Sequence, residues 1–331
     1  MSRVQFIEVT EAEADQRVDK WFKNRFPGVT HGQLEKFLRK GEVRVDKKRV
    51  KAKDRLEPGQ SVRIPPLPEW ATQAFEKSGA VKVNKMVMSD HDVADIRQMI
   101  LHMDDDVIVL NKPAGLPVQG GSGQTRHIDG LLDGLRFDYD ERPRLVHRLD
   151  KDTSGVLVIG RTRLATKHLT EAFKQRTTRK IYWALVAGVP RPHQATVSYN
   201  LTKIVTAAGE KVVVDRSGQK AISDYSVVAV AGTKAAWLAL KPLTGRTHQL
   251  RVHCAAIEHP IVGDGKYGGP EAFLEGAISK KMHLHAKEIT ISHPSGGDLT
   301  VSAPISSHME ATWKLLGFHE NDYEDPFDEL L

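Results

Sequence analysis

Asp150 lies in a stretch of residue types that suits nucleophilic or acid-base chemistry. It follows Arg148, whose positive charge would favour an ionised carboxylate, and it precedes a Thr-Ser-Gly triplet at 153–155. Side chains of Asp, Thr and Ser bond nearby backbone amides in turns, and glycine adopts conformations that other residues resist. The run 156–159 is short, apolar and largely β-branched, as in a buried strand. We therefore expect Asp150 on a rigid loop at the edge of a sheet.

The local string leaves more than one role open for Asp150. An aspartate before such a triplet can serve only to cap the turn. A glycoside hydrolase would use it as a nucleophile, but that chemistry needs a second carboxyl group about 5–9.5 Å away. Asp152 is the nearest acid in sequence, and nothing marks it as that second group.

The composition is typical of a soluble protein in a reducing compartment that needs no metal or nucleotide cofactor. No run of about 18 apolar residues is present, and the first 20 positions are too acidic for a signal peptide, so we expect a cytoplasmic protein with no membrane partner. Cys254 is the single cysteine, which excludes a disulfide within one chain. His283 and His285 alternate as in a strand, and we predict no metal. The glycines at 120, 121 and 123 lack the following Lys-Ser/Thr of a phosphate loop, so we predict no nucleotide cofactor.

The distribution of charge indicates a polyanionic partner. The net charge is +6, yet the segment from Arg17 to Arg63 alone carries 15 Lys and Arg against six Asp and Glu. The last twelve residues include six acids. Concentrated basic charge is typical of a nucleic-acid-binding module, although a merely solvated charged face is the alternative.

Residues 15–65 have the pattern of a compact unit of helices and strands. Two amphipathic helical patterns lie on either side of Pro27-Gly28, with Thr30 placed to cap the second. Alternating valines and basic residues predict a hairpin over 43–50, and a strand follows over 61–64. This arrangement resembles the S4 RNA-binding domain. The resemblance implies phosphate contacts from the basic face of the second helix and from the hairpin, at Lys36, Arg39, Lys40, Arg44 and Lys48.

Several blocks downstream carry a second resemblance. The string His-Arg-Leu-Asp with Thr-Ser-Gly at 147–155 resembles the signature of the ribosomal large-subunit family of pseudouridine synthases. Asn-Lys-Pro-Ala-Gly at 111–115, Lys-Ile-Tyr-Trp-Ala-Leu-Val at 180–186 and Gly-Arg-Thr-His-Gln-Leu-Arg-Val-His at 245–253 resemble its other blocks. The loop Gly-Asp-Gly-Lys-Tyr-Gly at 263–268 follows as it does in the family. The resemblance covers residues from about 15 to 316.

The resemblance implies roles for particular residues. Asp150 would be the nucleophile or base, and Arg251 its ion-pair partner, unless Arg251 instead forms a structural salt bridge with another acid. Tyr182 would stack on the uracil that has been flipped out of the RNA, unless it is only a core aromatic of its strand. Arg148 would contact RNA and could insert where the base was. Two further basic residues, predicted as supporting or RNA-facing groups, are Lys112 and Arg246.

The same resemblance implies an α+β fold with a mixed, mainly antiparallel sheet and flanking helices, plus the small N-terminal S4-like α/β domain. We place the S4-like domain at 15–65, a linker at 66–100 with a short helix near 93–102, the catalytic domain at 101–316 and an acidic tail at 317–331.

The family acts on RNA, and the S4-like domain, the length and the segment 118–123 most resemble the C type among its bacterial members that modify the large ribosomal subunit. The expected partner is therefore 23S ribosomal RNA or a large-subunit assembly intermediate. Alternatives are the D type, a transfer RNA enzyme of the same family, and a non-catalytic RNA-binding factor for ribosome assembly.

Overall fold

A computed structural model describes residues 4–13, 15–68, 71, 88–120, 126–206 and 209–327. The chain divides into two compact units, Met1–Val83 and Asn84–Leu331. Within the described residues, no helix has the length and apolar character needed to cross a membrane. Three features predicted from sequence lie outside the described residues: the glycines at 121 and 123, most of the linker, and the last two acids, Asp328 and Glu329.

The first unit packs two helices on one face of a four-stranded antiparallel sheet. Thr30 caps the second helix in a reciprocal capping box with Gln33, and Gly41 ends that helix in the left-handed conformation, with φ of 69°. The core contains Trp21, Phe22 and the inward side chains of both helices and of the strands. The elements are β1 (Gln5–Glu8), α1 (Val18–Arg25), α2 (His31–Lys40), β2 (Arg44–Val45), β3 (Lys48–Arg49) and β4 (Ser61–Ile64), with strand order β1-β4-β2-β3.

The second unit is built on an eleven-stranded mixed sheet with flanking helices. Its strands are β5 (Ile100–Met103), β6 (Val107–Lys112), β7 (Arg144–Leu145), β8 (Ser154–Gly160), β9 (Arg179–Ala187), β10 (Gln194–Thr206), β11 (Gly209–Val214), β12 (Gln219–Ala231), β13 (Ala235–Pro242), β14 (Leu284–Ser292) and β15 (Asp298–Ser302). Its helices are α3 (Asp90–Gln98), α4 (Ile128–Leu131), α5 (Arg163–Gln175), α6 (Gln249–Ala256), α7 (Gly265–Gly268) and α8 (Ser307–Leu316).

The strand order is β11-β10-β12-β13-β9-β14-β8-β6-β5, with β15 beside β14 and β7 beside β8. The pair β8 and β14 is parallel, and the other described pairs are antiparallel. The predicted α+β class with a mixed, mainly antiparallel sheet is confirmed.

The middle of this sheet is buried on both faces. All seven residues of β8 are buried, and its side chains alternate between two apolar clusters. Leu157 and Ile159 pack toward the side that includes Ile128 of α4, whereas Val156 and Val158 pack toward the side that includes Leu169 of α5. Burial on both faces explains why β8 reads as a continuous apolar run, and it makes this strand a rigid support for the loop before it.

Two segments differ from the sequence expectation. The helix expected near 93–102 ends at Gln98, and β5 follows because its backbone pairs with β6. Residues after 316 pack on the second unit as far as the structure describes them, because Phe318 and Phe327 are buried in a cluster with Trp237. Asp325 also forms an ion pair with Arg179. The described part of the acidic segment is thus integral to this unit.

Candidate active site

Register across the sheet brings the separate sequence blocks to one place. Gly155 pairs with Ala286, Ala286 with Tyr182, and Tyr182 with Leu240. Because β8 begins and β13 ends near this row, the loop before β8 and the loop after β13 leave the sheet side by side. Those loops carry Asp150 and the start of the third sequence block.

Asp150 lies where two clefts meet. Its side chain is 19% exposed. The larger cleft has a volume of about 680 Å³ and the smaller one about 170 Å³. The two clefts share five lining residues, Arg148, Leu149, Asp150, His248 and Arg251. Such a concave site with a few convergent polar groups has the form of a pocket for one small group, such as a nucleobase.

Arg251 joins Asp150 to a second acid that sequence reasoning missed. Its Nη1 lies 3.7 Å from Asp150 Oδ2, whereas its Nε and Nη2 donate to Asp264 at 2.7 and 2.8 Å. Burial acts to lower the pKa of Arg251, but its hydrogen bonds to the buried Asp264 raise that pKa overall. Arg251 therefore lies beside Asp150, as the first interpretation predicts, and it also forms a salt bridge with another acid, as the alternative predicts. The sequence marks the Gly-Asp-Gly-Lys-Tyr-Gly loop but assigns no role to its aspartate.

His248 is a further group beside Asp150 to which the sequence assigns no role. Its Nε2 lies 3.7 Å from Asp150 Oδ1, and its Nδ1 is 2.6 Å from the hydroxyl of Tyr267. The residue adopts the left-handed conformation at the start of α6, with φ of 52°, which is uncommon for residues other than glycine. Burial lowers the pKa of His248, and the carboxylate of Asp150 opposes that effect.

Tyr182 lines the smaller cleft together with Asp150. Burial raises the pKa of its phenol, and the negative charge of Asp150 raises it further. The Tyr182 side chain therefore stays uncharged over the ordinary pH range. It presents an aromatic ring with a hydroxyl at its tip. Such a surface suits stacking on a planar ring.

Of the two roles predicted for Lys112, a supporting or an RNA-facing group, its environment fits the supporting one. Lys112 is fully buried, and its Nζ donates to the carbonyls of Pro113, Leu116 and Lys151 at 2.9, 2.9 and 3.0 Å. Burial lowers the pKa of this amine to about 7, against the attraction of Asp152 and Asp150. All three ammonium protons have carbonyl acceptors, so Lys112 ties the 113–116 segment to the loop that carries Asp150.

The other predicted basic residues have different environments. Arg148 is exposed and lines both clefts. Arg246 lines the smaller cleft, and its Nε donates to the carbonyl of Lys220 at 3.2 Å. Four lysines without a predicted role line the larger cleft, and they are Lys151, Lys266, Lys280 and Lys281.

In the first unit, the five predicted RNA contacts do not form one surface. Lys36, Arg39 and Lys40 are exposed on α2, and Lys48 is exposed in β3. Arg44 alternates with the buried Val45, so its side chain extends from the sheet face opposite the helices.

The histidines at 283 and 285 have structural partners. His283 Nε2 lies 2.9 Å from Thr312 Oγ1, and His285 Nδ1 lies 2.9 Å from Ser154 Oγ. Within the described ranges, no group of three or more His, Cys, Asp or Glu side chains is arranged to hold a metal ion.

Comparison with known proteins places this site in a family. A family model described as RNA pseudouridylate synthase matches residues 106–256, and an S4 domain model matches residues 16–62. The Salmonella typhi protein named ribosomal large subunit pseudouridine synthase C is 36% identical over 321 residues, covering 95% of this chain and 97% of that protein. The protein of that name from Escherichia coli is 36% identical over 315 residues, covering 93% and 95%.

A solved structure agrees with the fold. The structure of human RNA pseudouridylate synthase domain containing 4 superposes with a TM-score of 0.58 at 27% sequence identity, covering 68% of this chain and 95% of that one. Sequence similarity along nearly the whole chain, together with this fold, shows that the chain belongs to the RNA pseudouridylate synthase family and carries an S4 domain before its catalytic unit.

Proposed function

We propose that this chain converts specific uridines of 23S ribosomal RNA, free or in an assembling large subunit, to pseudouridine in the cytoplasm. Support for the substrate comes from the names of the bacterial relatives and from the S4 domain. The observation that carries the chemistry is the position of the Asp150 carboxylate, where two clefts meet and 3.7 Å from Arg251.

The reaction breaks the bond between C1′ of the ribose and N1 of uracil, rotates the base and joins it again through C5. It needs no change of oxidation state and no energy donor. In our proposal, the target nucleotide leaves its stack, at a cost of a few kcal/mol, and its uracil occupies the smaller cleft beside Asp150. The Asp150 carboxylate acts on the nucleoside as nucleophile or base, and the detached uracil stays enclosed until C5 faces C1′.

The neighbouring side chains take complementary roles in this proposal. Arg251 stabilises the charged carboxylate of Asp150 by its proximity. Tyr182 stacks on the flipped uracil. Arg148, exposed at the rim of both clefts, fills the space that the base leaves in the RNA, and Arg246 faces the phosphate next to the target. Lys112 is a positioning residue in this scheme because it holds the Asp150 loop without meeting RNA.

The test maps pseudouridines in total RNA from cells that lack this protein. The cells are complemented with the wild type, with Asp150→Asn, or with Asp298→Asn as a matched control. Asp298 is exposed in β15, which pairs with the end of β14 away from the site. We expect specific large-subunit sites to disappear and to return with the wild type and Asp298→Asn but not with Asp150→Asn.

Each of the other outcomes would overturn a different part of the proposal. Sites lost from transfer RNA instead would keep the chemistry and overturn the ribosomal substrate. Sites at the positions typical of another large-subunit type would keep the substrate class and overturn the C type. If Asp150→Asn restored every site, the proposed role of Asp150 would fail, and a binding role in ribosome assembly would be favoured.

A further inference from the structure

One row of side chains crosses the sheet of the first unit. Phe6 of β1 pairs with Arg63 of β4, Arg63 pairs with Arg44 of β2, and Arg44 pairs with Arg49 of β3. Residues directly opposite each other in antiparallel strands extend to the same face of a sheet. An aromatic ring and three arginines therefore stand side by side across all four strands.

This row faces away from the helices. The neighbouring residues in register, Ile7, Val62 and Val45, pack in the core with the helices, so the row lies on the opposite face. Phe6 is 66% exposed, an unusual state for a large aromatic side chain. The exposed cations of α2 lie on the helical side of the unit, so the row is a separate surface.

Two of the three arginines in this row donate hydrogen bonds to backbone carbonyls. Arg44 Nε donates to the carbonyl of Gly41 at 2.9 Å, and Arg63 Nη1 donates to the carbonyl of Glu42 at 2.5 Å. Both carbonyls belong to the two residues that follow α2, so they lie outside the hydrogen bonds of the helix and can accept from a side chain. Each guanidinium is thereby oriented while keeping other N–H groups for a ligand, which lowers the entropy lost when an anion binds.

A cleft of about 780 Å³ lies along three members of this row, and Arg49 stands next to it beside Arg44. The cleft is lined by the ring of Phe6 and by three basic residues, Arg44, Arg63 and Lys47. Two acids also line it, and the side chain of each already has a partner. Asp46 accepts a hydrogen bond from the amide of Ser61, and Glu42 lies 3.7 Å from Lys40. The cleft thus offers an exposed ring beside positive charge, which is the combination that unstacked nucleotides require.

We propose that this sheet face binds a single-stranded segment of RNA, with one base stacked on Phe6 and the adjoining phosphates on Arg63, Arg44 and Arg49. In this proposal the first unit binds RNA in two ways. The cations of α2 contact phosphates, and the sheet face binds an unpaired base. It also rests on a unit other than the one that carries Asp150, so its failure would leave the catalytic proposal standing.

The first experiment measures binding of a labelled single-stranded oligouridylate to the full chain. Phe6→Ala is expected to weaken binding about 5- to 150-fold, the range for loss of one base-aromatic stack. The matched control is Val4→Ala, because Val4 precedes Phe6 by two residues and is also exposed; it is expected to bind as the wild type does. Equal affinity of Phe6→Ala and Val4→Ala would overturn the stacking contact.

Two further variants test the contact without removing side-chain bulk. Phe6→Trp places an indole at the proposed stacking position, and its fluorescence should be quenched by the oligonucleotide beyond any change in the wild type. Arg49→Gln should reduce the slope of log affinity against log salt by about 0.7, the value for one phosphate contact to a single strand, whereas Arg49→Lys should restore it.

A different partner would give a different result. If the sheet face instead joins two copies of the chain, sedimentation will show that Phe6→Ala lowers self-association while oligonucleotide binding is unchanged. That outcome, or an unquenched Phe6→Trp variant, would reject the RNA proposal.

Discussion

Arg251 forms its close, bidentate contact with Asp264 and only a longer contact with Asp150. The two bonds to Asp264 are 2.7 and 2.8 Å, and the approach to Asp150 is 3.7 Å. Paired parallel bonds between a guanidinium and a carboxylate fix the plane of the arginine as well as its position. Asp264 therefore determines which Arg251 nitrogen, Nη1, faces Asp150.

From this we predict that Asp264→Asn lowers kcat by up to about 100-fold, because a small displacement of a group at the reacting centre has effects of that size. The KM for RNA should change little, since Asp264 is buried and both of its carboxylate oxygens accept hydrogen bonds from Arg251. Formation of pseudouridine expels the hydrogen on C5, so release of tritium from 5-tritiated uridine RNA measures the rate. Asp298→Asn is the control, and an unchanged kcat in Asp264→Asn would contradict the positioning role.

Lys112→Met should destabilise the second unit by about 3 kcal/mol. The substitution keeps an unbranched side chain but removes the buried amine, which leaves three carbonyls, those of Pro113, Leu116 and Lys151, without their donor. Urea unfolding measures the loss. Lys174→Met replaces an exposed lysine of α5 and should change stability by no more than about 0.5 kcal/mol. Similar stabilities for the two variants would show that the carbonyls find other donors.

Gly155→Ala should be strongly destabilising. Gly155 has φ of 106°, and a Cβ atom there would lie 2.1 Å from the carbonyl oxygen of Ala286 in the adjacent parallel strand. Relief requires β8 and β14 to separate, so we expect a loss of about 3 kcal/mol or more in unfolding free energy. Gly245→Ala is the comparison, because nothing lies within 4 Å of a Cβ atom at that position. A Gly155→Ala variant as stable as Gly245→Ala would contradict the close approach of the strands.

Stability should fall as the pH drops below about 6.5. Burial lowers the pKa of His253, His283 and His285 to about 4 in each case. The unfolded chain, in which histidine titrates near 6.5, therefore binds more protons than the folded chain between about pH 6.5 and about pH 4. Above about pH 6.5 these histidines do not reduce the free energy of unfolding. At about pH 5 each of them lowers it by roughly 2 kcal/mol.

Urea unfolding at about pH 7.5 and about pH 5 measures this dependence. His285→Gln should reduce the difference between the two conditions by up to about 2 kcal/mol, since one buried titrating group is removed. Identical pH dependence in His285→Gln and the wild type would exclude His285 as a contributor.

Local features could be predicted closely from the sequence. The pattern predicts that the second helix of the first unit begins after Thr30 and ends at Gly41, and it does both. The buried strand predicted after Asp150 over 156–159 spans Ser154–Gly160. These features follow from short-range chemistry, because a cap, a left-handed glycine and an apolar run each act on residues within a few positions.

Tertiary structure alone decided which side chains meet. The sequence marks Lys112, Arg251 and Asp264 as parts of separate motifs, but burial and strand register determine that Lys112 bonds only backbone carbonyls among the described residues and that Asp264 orients Arg251. The same holds for the row from Phe6 to Arg49, whose members are up to 57 positions apart in the chain. Periodicity predicts which face of an element is apolar, whereas pairing between distant elements determines the neighbours of each polar group.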